Sequence, residues 1–156
     1  MSQEQTLVLL KPDALHRGLV GAIINRLERK GLKIVGLKMM RMSDGLVNEH
    51  YAHLADKPFF PDLKKFMQSA PIIALAIEGL EAVTVVRALV GATNGRAAVA
   101  GTIRGDYSLS QSHNVVHASD SPENGISEVK RFFQPEELFA YEKSDASWVY
   151  EIGREI

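Results

Sequence analysis

Four short apolar stretches in the sequence predict four β-strands. The first ends at Lys11 and Pro12, which predicts a buried strand with a lysine at its end. The second carries Val35, Leu37 and Met39 at alternate positions, as a strand with one covered face does. The third is apolar throughout, which is typical of a central strand covered on both faces. In chain order the stretches are residues 6–10, 33–42, 70–77 and 115–118.

Apolar residues spaced three and four positions apart predict helices between these strands. The spacing is clearest around residues 19–27, 46–54, 63–67, 83–90 and 126–133. Serines at the N-cap position, prolines in the first turn and a terminal glycine mark the helix ends: Ser43, Ser121, Pro61, Pro122 and Gly91. In the last helix, Ile126, Val129 and Phe133 are predicted to form the buried stripe.

Composition restricts the class of protein. The chain has 156 residues, 46% of them apolar, so we expect one globular domain spanning residues 1–156. Its 18 basic and 19 acidic side chains give a net charge of −1, which does not favour non-specific binding to nucleic acid or to an anionic membrane. The absence of cysteine excludes disulfides and thiolate metal sites and fits a reducing cytoplasm. We expect a cytoplasmic protein without signal peptide or membrane segment, because the longest apolar run is residues 72–77.

Residues 91–114 form the one long stretch without periodic apolar positions. The stretch is rich in Gly, Ala, Ser and Thr, and irregular loops of this length in compact domains are usually functional or disordered. Ile103 and Tyr107 are the residues expected to anchor it to the core. The sequence therefore predicts a long glycine-rich loop and indicates it as a place for function.

Cationic side chains in and near this loop are candidates for phosphate binding. The candidates are Lys11, Arg87, Arg96 and Arg104, with Thr93 and Asn114 as neutral donors. Each cation alone is most often a solvated surface charge, but together they can surround a polyphosphate, for which guanidinium offers bidentate geometry. The sequence has neither a P-loop nor a GxGxxG motif, and its closely spaced histidine pairs lack a third ligand for structural zinc.

His117 is the most informative single residue. Without context, a histidine at the end of a strand is more often a satisfied core residue. As a nucleophile, a neutral imidazole would use one ring nitrogen while Glu128 or Ser119 holds the N–H of the other. For Glu128 the competing interpretation is an exposed helix acid, which spacing alone slightly favours. Tyr51 shares a helical face with apolar residues as a core aromatic does, and an aromatic such as Phe59 between prolines is more often a packed corner than a stacking platform. Spacing alone leaves these alternatives open.

Residues 114–121, Asn-Val-Val-His-Ala-Ser-Asp-Ser, resemble the active-site signature of nucleoside diphosphate kinases. Other segments resemble the same family, in order and without obvious gaps: Lys11-Pro12-Asp13, Arg17-Gly18-Leu19-Val20-Gly21, His50-Tyr51, Pro58-Phe59-Phe60, Gly91-Ala92-Thr93-Asn94 and Gly101-Thr102-Ile103-Arg104-Gly105-Asp106. Chance does not account for agreement among motifs so far apart. The chain therefore resembles the family over nearly its whole length.

The resemblance implies a phosphotransferase that moves the γ-phosphate of a nucleoside triphosphate, typically ATP, to a nucleoside diphosphate by a ping-pong mechanism, which maintains nucleoside triphosphate pools. It implies that His117 is phosphorylated between the two half-reactions. Glu128 and Ser119 match positions that orient this histidine. Lys11 and Tyr51 match residues close to the transferred phosphoryl group.

Other matches imply how the nucleotide is bound. The residues that match phosphate- or sugar-binding groups are Lys11, Arg87, Thr93, Arg104 and Asn114. Phe59 matches the aromatic residue on which the base stacks, and stacking implies broad specificity because every base presents a π-face. The implied cofactor is Mg²⁺, held mainly by the nucleotide phosphates and not directly by the protein.

Alternating strands and helices alone predict only a generic α/β sheet. The resemblance implies an α+β fold of the ferredoxin-like βαββαβ type, a four-stranded antiparallel sheet covered by helices, and a homo-oligomer, hexameric in preference to tetrameric. The sequence departs from the family at Ala118, where glycine is common, at Gly95 and Ala100, where proline is common, and at Gln111, where an apolar residue often faces the base. Each missing proline adds unfolded-state entropy worth roughly 0.4–1 kcal/mol to the loop.

Two functions from other classes remain open at this level. The first is a non-catalytic nucleotide-binding protein with the same fold, against which the presence of both His117 and Glu128 argues. The second is a nucleic-acid-binding module that uses Arg87, Arg96 and Arg104 and whose binding weakens with salt. The resemblance implies nucleoside tri- and diphosphates as partners. Because the net charge is near zero, we expect neither nucleic acid nor membrane as the primary partner.

Overall fold

A computed structural model describes residues 3–156 as a four-stranded sheet with helices packed on it. The strands are β1 (Gln3–Leu10), β2 (Lys33–Met40), β3 (Ile72–Leu80) and β4 (Val116–Ala118). The helices are α1 (Pro12–His16), α2 (Val20–Arg29), α3 (Asp44–His50), α4 (Phe60–Met67), α5 (Ala82–Val90), α6 (Ile103–Tyr107), α7 (Pro122–Phe132) and α8 (Ala146–Val149). Single 3₁₀ turns cover Ala52–Leu54 and Pro135–Glu137. No helix in residues 3–156 is both long enough and apolar enough to cross a membrane.

The strand order is β2-β3-β1-β4, and every neighbouring pair is antiparallel. This order, with helices crossing between the strands, is that of the ferredoxin-like βαββαβ fold, so the predicted fold class is confirmed. The register pairs Leu9 with His117 and Leu10 with Val116. Lys11, which directly follows β1, is therefore held beside the beginning of β4.

The central strand β3 is covered on both faces, as its uninterrupted apolar sequence predicts. Leu75 and Ile77 belong to the core cluster that α2 and α5 cover, whereas Ala74 and Ala76 belong to the cluster that α3, α4 and α7 cover. Burial of a large aliphatic side chain contributes about 1.5–3 kcal/mol, so packing on both faces stabilises this strand.

The predicted helix ends are confirmed by their hydrogen bonds. The hydroxyl of Ser43 accepts from the backbone N–H of Leu46, and that of Ser121 accepts from the N–H of Asn124, both at 3.1 Å. Gly91 ends α5 with a φ of 86°, a conformation that favours glycine.

The predicted buried stripe of α7 is wrong at one position. Ile126 is 53% exposed, while Val129 and Phe133 are buried as predicted. The cause is Gly125, where a Cβ atom would overlap the backbone carbonyl oxygen of Gln5. Because the helix approaches β1 at this glycine, the next residue points about 100° away from the sheet and into solvent.

The predicted alternation of β2 is also only partly correct. Val35 is buried, but Leu37 and Met39 are 52% and 63% exposed. A register irregularity between Ile34 and Gly36 changes which positions face the core, so that Met40 packs on the core in their place.

The long loop contains a helix that the sequence analysis did not predict. The loop's α6 begins after Thr102, whose hydroxyl accepts from the N–H of Gly105 at 2.9 Å. Ile103 is fully buried and Tyr107 packs against the same cluster, which confirms both as anchors.

Candidate active site

His117 lies on β4 and is hydrogen-bonded to a buried carboxylate. Its Nε2 lies 2.8 Å from Oε1 of Glu128. Because a carboxylate only accepts, Nε2 carries the hydrogen, and Nδ1 of the neutral ring keeps its lone pair. The hydroxyl of Ser119 donates to the same Oε1 at 3.2 Å and accepts from the backbone N–H of Leu7 at 3.1 Å. The arrangement leaves one ring nitrogen free to act as a nucleophile.

The position of Glu128 follows from the packing of α7. Gly125 and Glu128 are one turn apart and both lie on the buried face of this helix. Since Gly125 fits against β1, Glu128 points towards the sheet and reaches β4. The competing interpretation, an exposed helix acid, is therefore wrong, because Glu128 is only 7% exposed.

A second histidine, His50 at the end of α3, packs against His117. The two ring centroids are 4.7 Å apart and nearly perpendicular, and Tyr51 and Phe132 contact the same ring edge to face. The guanidinium of Arg131 donates to Nδ1 of His50 at 3.0 Å. Burial, and then the charges of His117 and Arg131, lower the pKa of His50 to about 2, so this ring is neutral.

His50, His117 and Glu128 bring potential metal-ligand atoms within 4.8 Å of one another. The guanidinium of Arg131 on His50 and the nearby charge of Lys11 oppose a cation at this position. The sequence analysis considered His50 only as half of a zinc pair, although its place in the His50-Tyr51 motif was a signal of its proximity to the site.

Lys11 is buried and joins the nucleophile region to the long loop. Its Nζ donates to Oδ1 of Asn114 at 2.8 Å, and burial, followed by the charge of Arg104, lowers the Lys11 pKa to about 8. The amide of Asn114 donates in turn to the backbone oxygens of Thr93 and Gln111, each at 2.9 Å. Asn114 therefore positions three of the predicted binding segments at once.

The backbone turns sharply just before β4. Val115 has a φ of 63°, which is unusual for a β-branched residue and costs roughly 1–2 kcal/mol. Its N–H donates to Oδ2 of Asp13 at 3.0 Å, and its carbonyl oxygen accepts from the N–H of Lys11 at 2.9 Å. Asp13 is thus a positioning residue that the sequence analysis quoted in a motif but to which it gave no role.

Arg104 is buried, contrary to the expectation for a lone loop arginine. Its guanidinium donates to the backbone oxygens of Asn114 at 3.3 Å, Gly91 at 3.2 Å and Val116 at 2.6 Å. Burial, and then the neighbouring Arg87, lowers the Arg104 pKa to about 10. Arg104 therefore ties the loop to β4 as well as bringing a charge near the site.

The other two loop-side arginines are exposed. Arg87 makes only a long contact of 3.4 Å from its Nη1 to the backbone oxygen of Ala118, next to His117. Arg96 donates to the backbone oxygen of Leu109 at 2.8 Å, away from the other candidates. The structure thus places Arg87, but not Arg96, beside His117.

A cleft of about 570 Å³ opens between α4 and the end of the long loop. Five predicted residues line it: Lys11, Tyr51, Phe59, Thr93 and Asn114. Gln111, at the position where the family often has an apolar residue facing the base, also lines it. The sequence analysis gave no binding role to the other lining residues, which are Leu54, Asp62, Leu63, Phe66, Ser112 and His113. A smaller cavity of about 60 Å³, near the C-terminal segment, contains none of the predicted residues.

The aromatic residues of the cleft differ in burial. Phe59 is 52% exposed, so its ring is available for stacking and is not the packed corner that was the alternative interpretation. Tyr51 is buried, and its hydroxyl has no hydrogen-bond partner within residues 3–156. Burial, and to a lesser extent the charge of Glu128, raises the Tyr51 pKa, which keeps this hydroxyl protonated as a donor.

His117, Glu128 and Ser119 lie outside the lining of the cleft but directly beside it. Tyr51 lines the cleft and contacts His50, which contacts His117. The geometry therefore places His117, a buried carboxylate and a lysine at one end of an open cleft with an exposed aromatic ring.

Comparisons with known proteins agree with this geometry. The sequence model of the family described as nucleoside diphosphate kinase matches residues 4–138. A nucleoside diphosphate kinase from Parabacteroides distasonis is 52% identical over 147 residues, which cover 94% of this chain and 96% of that protein. One from Archaeoglobus fulgidus is 50% identical over 148 residues, which cover 95% and 98%.

A solved structure leads to the same conclusion. The halophilic nucleoside diphosphate kinase from Halobacterium salinarum, in complex with CDP, superposes with a TM-score of 0.93 at 45% sequence identity and covers 96% of this chain and 99% of its own. The resemblance found in the motifs is therefore confirmed over nearly the full length. The chain belongs to the nucleoside diphosphate kinase family.

Proposed function

We propose that this chain transfers the phosphoryl group between nucleotides through His117. Its family makes the chain a nucleoside diphosphate kinase, a phosphotransferase that acts on nucleotides and uses a divalent metal ion. The observation that carries the assignment of the nucleophile is the 2.8 Å hydrogen bond between Nε2 of His117 and Glu128, since it leaves Nδ1 unprotonated.

The reaction divides into two balanced steps. In the first, the Nδ1 lone pair of His117 attacks the γ-phosphorus of the triphosphate, the bond from phosphorus to the bridging oxygen breaks, and the diphosphate leaves with that electron pair. In the second, a terminal β-phosphate oxygen of another diphosphate attacks the same phosphorus, and the P–N bond breaks to restore the neutral ring. No proton is gained or lost, and Glu128 stabilises the positive charge on the ring between the steps.

The cleft orients the nucleotide with its phosphates towards His117. The exposed ring of Phe59 stacks on the base, which supports broad base specificity. Lys11 and Arg87 attract the phosphates, and the hydroxyl of Tyr51, which lacks a partner, donates to an oxygen near the transferred group. Thr93 and Asn114 hold the sugar and phosphates, while Arg104 adds charge from behind the loop.

The residues of the site fit Mg²⁺ carried by the nucleotide. Mg²⁺ prefers oxygen ligands in octahedral geometry, and the carboxylate nearest the nucleophile, Glu128, is already hydrogen-bonded to His117 and Ser119. Lys11 leaves this end of the cleft cationic, so the phosphate oxygens are the better ligands. When bound to them, Mg²⁺ neutralises charge on the phosphates.

Two separate exposed apolar patches support a homo-oligomer. Leu37 and Met39 are exposed on β2, the outermost strand of the sheet. The C-terminal segment hydrogen-bonds to the beginning of this strand, so the proposed pairing site is its end, around Leu37 and Met39. Val99 and Leu109 in the long loop are 74% and 82% exposed. Two kinds of contact suit an oligomer built from dimers, and we propose the hexamer ahead of the tetramer. Light scattering distinguishes six 17.2 kDa chains, about 103 kDa, from four, about 69 kDa.

We also infer a cytoplasmic location, where nucleoside di- and triphosphates are exchanged.

The experiment that tests the mechanism incubates the protein with Mg²⁺ and γ-labelled ATP without an acceptor. We expect an acid-labile, base-stable label on His117 that moves to GTP when GDP is added. His117→Ala should abolish labelling, whereas His53→Ala, which changes an exposed histidine, should not. Failure to label the wild-type protein would favour the non-catalytic nucleotide-binding alternative, and salt-sensitive binding of oligonucleotides would then test the nucleic-acid one.

A further inference from the structure

Two aromatic side chains on opposite walls of the cleft are stacked on each other. The rings of His113, at the end of the long loop, and Phe66, in α4, have centroids 4.4 Å apart and planes only 16° apart. Both residues line the cleft. The contact therefore connects the two walls between which a nucleotide has to fit.

Each wall is held to its own part of the protein by other contacts. Phe59 directly precedes α4, and Leu63 and Phe66 follow within the helix at helical spacing, so all three face the cleft. The side chain of Lys64 forms an ion pair with Asp44 at the beginning of α3, so this contact joins α4 to α3 and not to the loop. Within residues 3–156, no hydrogen bond joins α4 to the loop end at 111–114.

The opposite wall is held by Asn114. Its amide donates to the backbone oxygens of Gln111, near the end of the long loop, and of Thr93, near its beginning. These two hydrogen bonds fix the backbone of this wall. His113 is exposed and lies between two residues that this network holds, so its ring is presented towards α4 from a fixed backbone. The stack is thus a directional contact that spans the cleft.

We propose that His113 and Phe66 form an aromatic clasp that sets the separation of the two walls, which makes His113 a positioning residue for the nucleotide base. The inference rests on the proposed assignment of the cleft to the nucleotide. A base stacks well on Phe59 only if the opposite wall stays at the matching distance, and a contact already present in the free protein removes the cost of ordering that wall on binding. The clasp therefore acts on nucleotide affinity and leaves the chemistry at His117 unchanged.

The test measures KM and kcat for ADP with Mg²⁺ and a nucleoside triphosphate donor, together with calorimetric binding of ADP. We expect His113→Ala and Phe66→Leu each to raise KM and Kd about 3- to 10-fold and to leave kcat within about twofold. His113→Phe, which keeps a stacking ring, should restore both constants to within about twofold of wild type. The double variant should be no worse than the worse single one, because both changes remove the same contact.

His53→Ala is the matched control, since it removes an exposed imidazole that does not line the cleft, and its KM should not change. Phe59→Ala separates the clasp from the cleft assignment. If Phe59→Ala leaves KM and Kd unchanged, the nucleotide does not occupy the cleft and the proposed binding mode fails.

If Phe59→Ala raises KM but His113→Ala does not, the cleft assignment stands and the clasp is wrong. Additive effects in the double variant, or no rescue by His113→Phe, would also overturn the clasp. Because His113 is exposed, its variants are expected to fold even if Phe66→Leu does not.

Discussion

Replacing Glu128 with glutamine tests whether the carboxylate charge drives phosphorylation of His117. Glutamine keeps the size of the side chain and an oxygen that can accept from Nε2, so only the charge is lost. Attack by Nδ1 makes the ring increasingly positive, and the carboxylate oxygen lies 2.8 Å from Nε2 of that ring. The effect of Glu128→Gln is therefore confined to charge stabilisation in the reacting complex.

The magnitude follows from the geometry. Opposite charges about 4 Å apart attract by about 4 kcal/mol at an effective dielectric constant of 20, a suitable value because Glu128 is largely buried. Phosphoryl transfer passes through a loose transition state, in which half or less of the ring charge has developed. The expected loss is then roughly 1.5–2 kcal/mol, which corresponds to a rate of phosphorylation about 10- to 30-fold lower.

Rapid-quench measurement of a single turnover with γ-labelled ATP reports this rate directly. The dissociation constant of ATP should stay within about twofold, because Glu128 does not line the cleft. Glu123→Gln, an exposed acid in the first turn of the same helix, is the matched control and should phosphorylate at the wild-type rate. A folded Glu128→Gln variant that is phosphorylated as fast as wild type would refute the role of the charge.

Three further perturbations test the supports of the site. Burial lowers the pKa of Lys11 to about 8, and only its protonated amine attracts phosphate. In calorimetric titrations the Kd for ADP should therefore rise up to about tenfold per pH unit above pH 8. Lys11→Arg stays charged and should lack this rise. Arg104→Ala removes donors to three backbone oxygens and should lower the urea unfolding free energy by about 2–4 kcal/mol, against less than about 1 kcal/mol for Arg96→Ala. Gly125→Ala should lower the melting temperature, because the added Cβ overlaps the backbone of β1. Gly21 has open space around it, so Gly21→Ala should stabilise α2 by up to about 1 kcal/mol. Stabilisation by both variants would contradict the packing argument.

Local patterns predict the elements of this fold because each element buries at least one face. The serine caps and the apolar run of β3 depend only on neighbouring residues, and the structure has them where the sequence places them. The pattern fails where a contact from elsewhere in the chain intervenes. Gly125 approaches β1 and turns Ile126 outwards. The register irregularity before Gly36 changes which residues of β2 face the core. Neither feature can be predicted from the sequence of its own element.

The candidate site shows the same division. Residue types and motifs are sufficient to select His117, Lys11 and Asn114, because a family motif specifies side chains directly. Burial is not predictable in this way: Arg104 resembles a surface residue in the sequence but donates to three carbonyl groups in the interior. The contact of His113 with Phe66 joins segments 47 residues apart and has no sequence signal of its own.

The choice of nucleophilic nitrogen shows why three-dimensional pairing is needed. A histidine in a motif has two chemically similar ring nitrogens, and the sequence analysis left open whether Glu128 or Ser119 holds the second one. The register of β1 with β4 sets the position of His117, while the glycine of α7 sets the direction of Glu128. Ser119 then donates to the carboxylate and not to the ring, so it orients Glu128, the hydrogen-bond partner of His117. Loss of the Ser119 hydroxyl should therefore weaken catalysis less than loss of the Glu128 charge, because the ring would keep its acceptor.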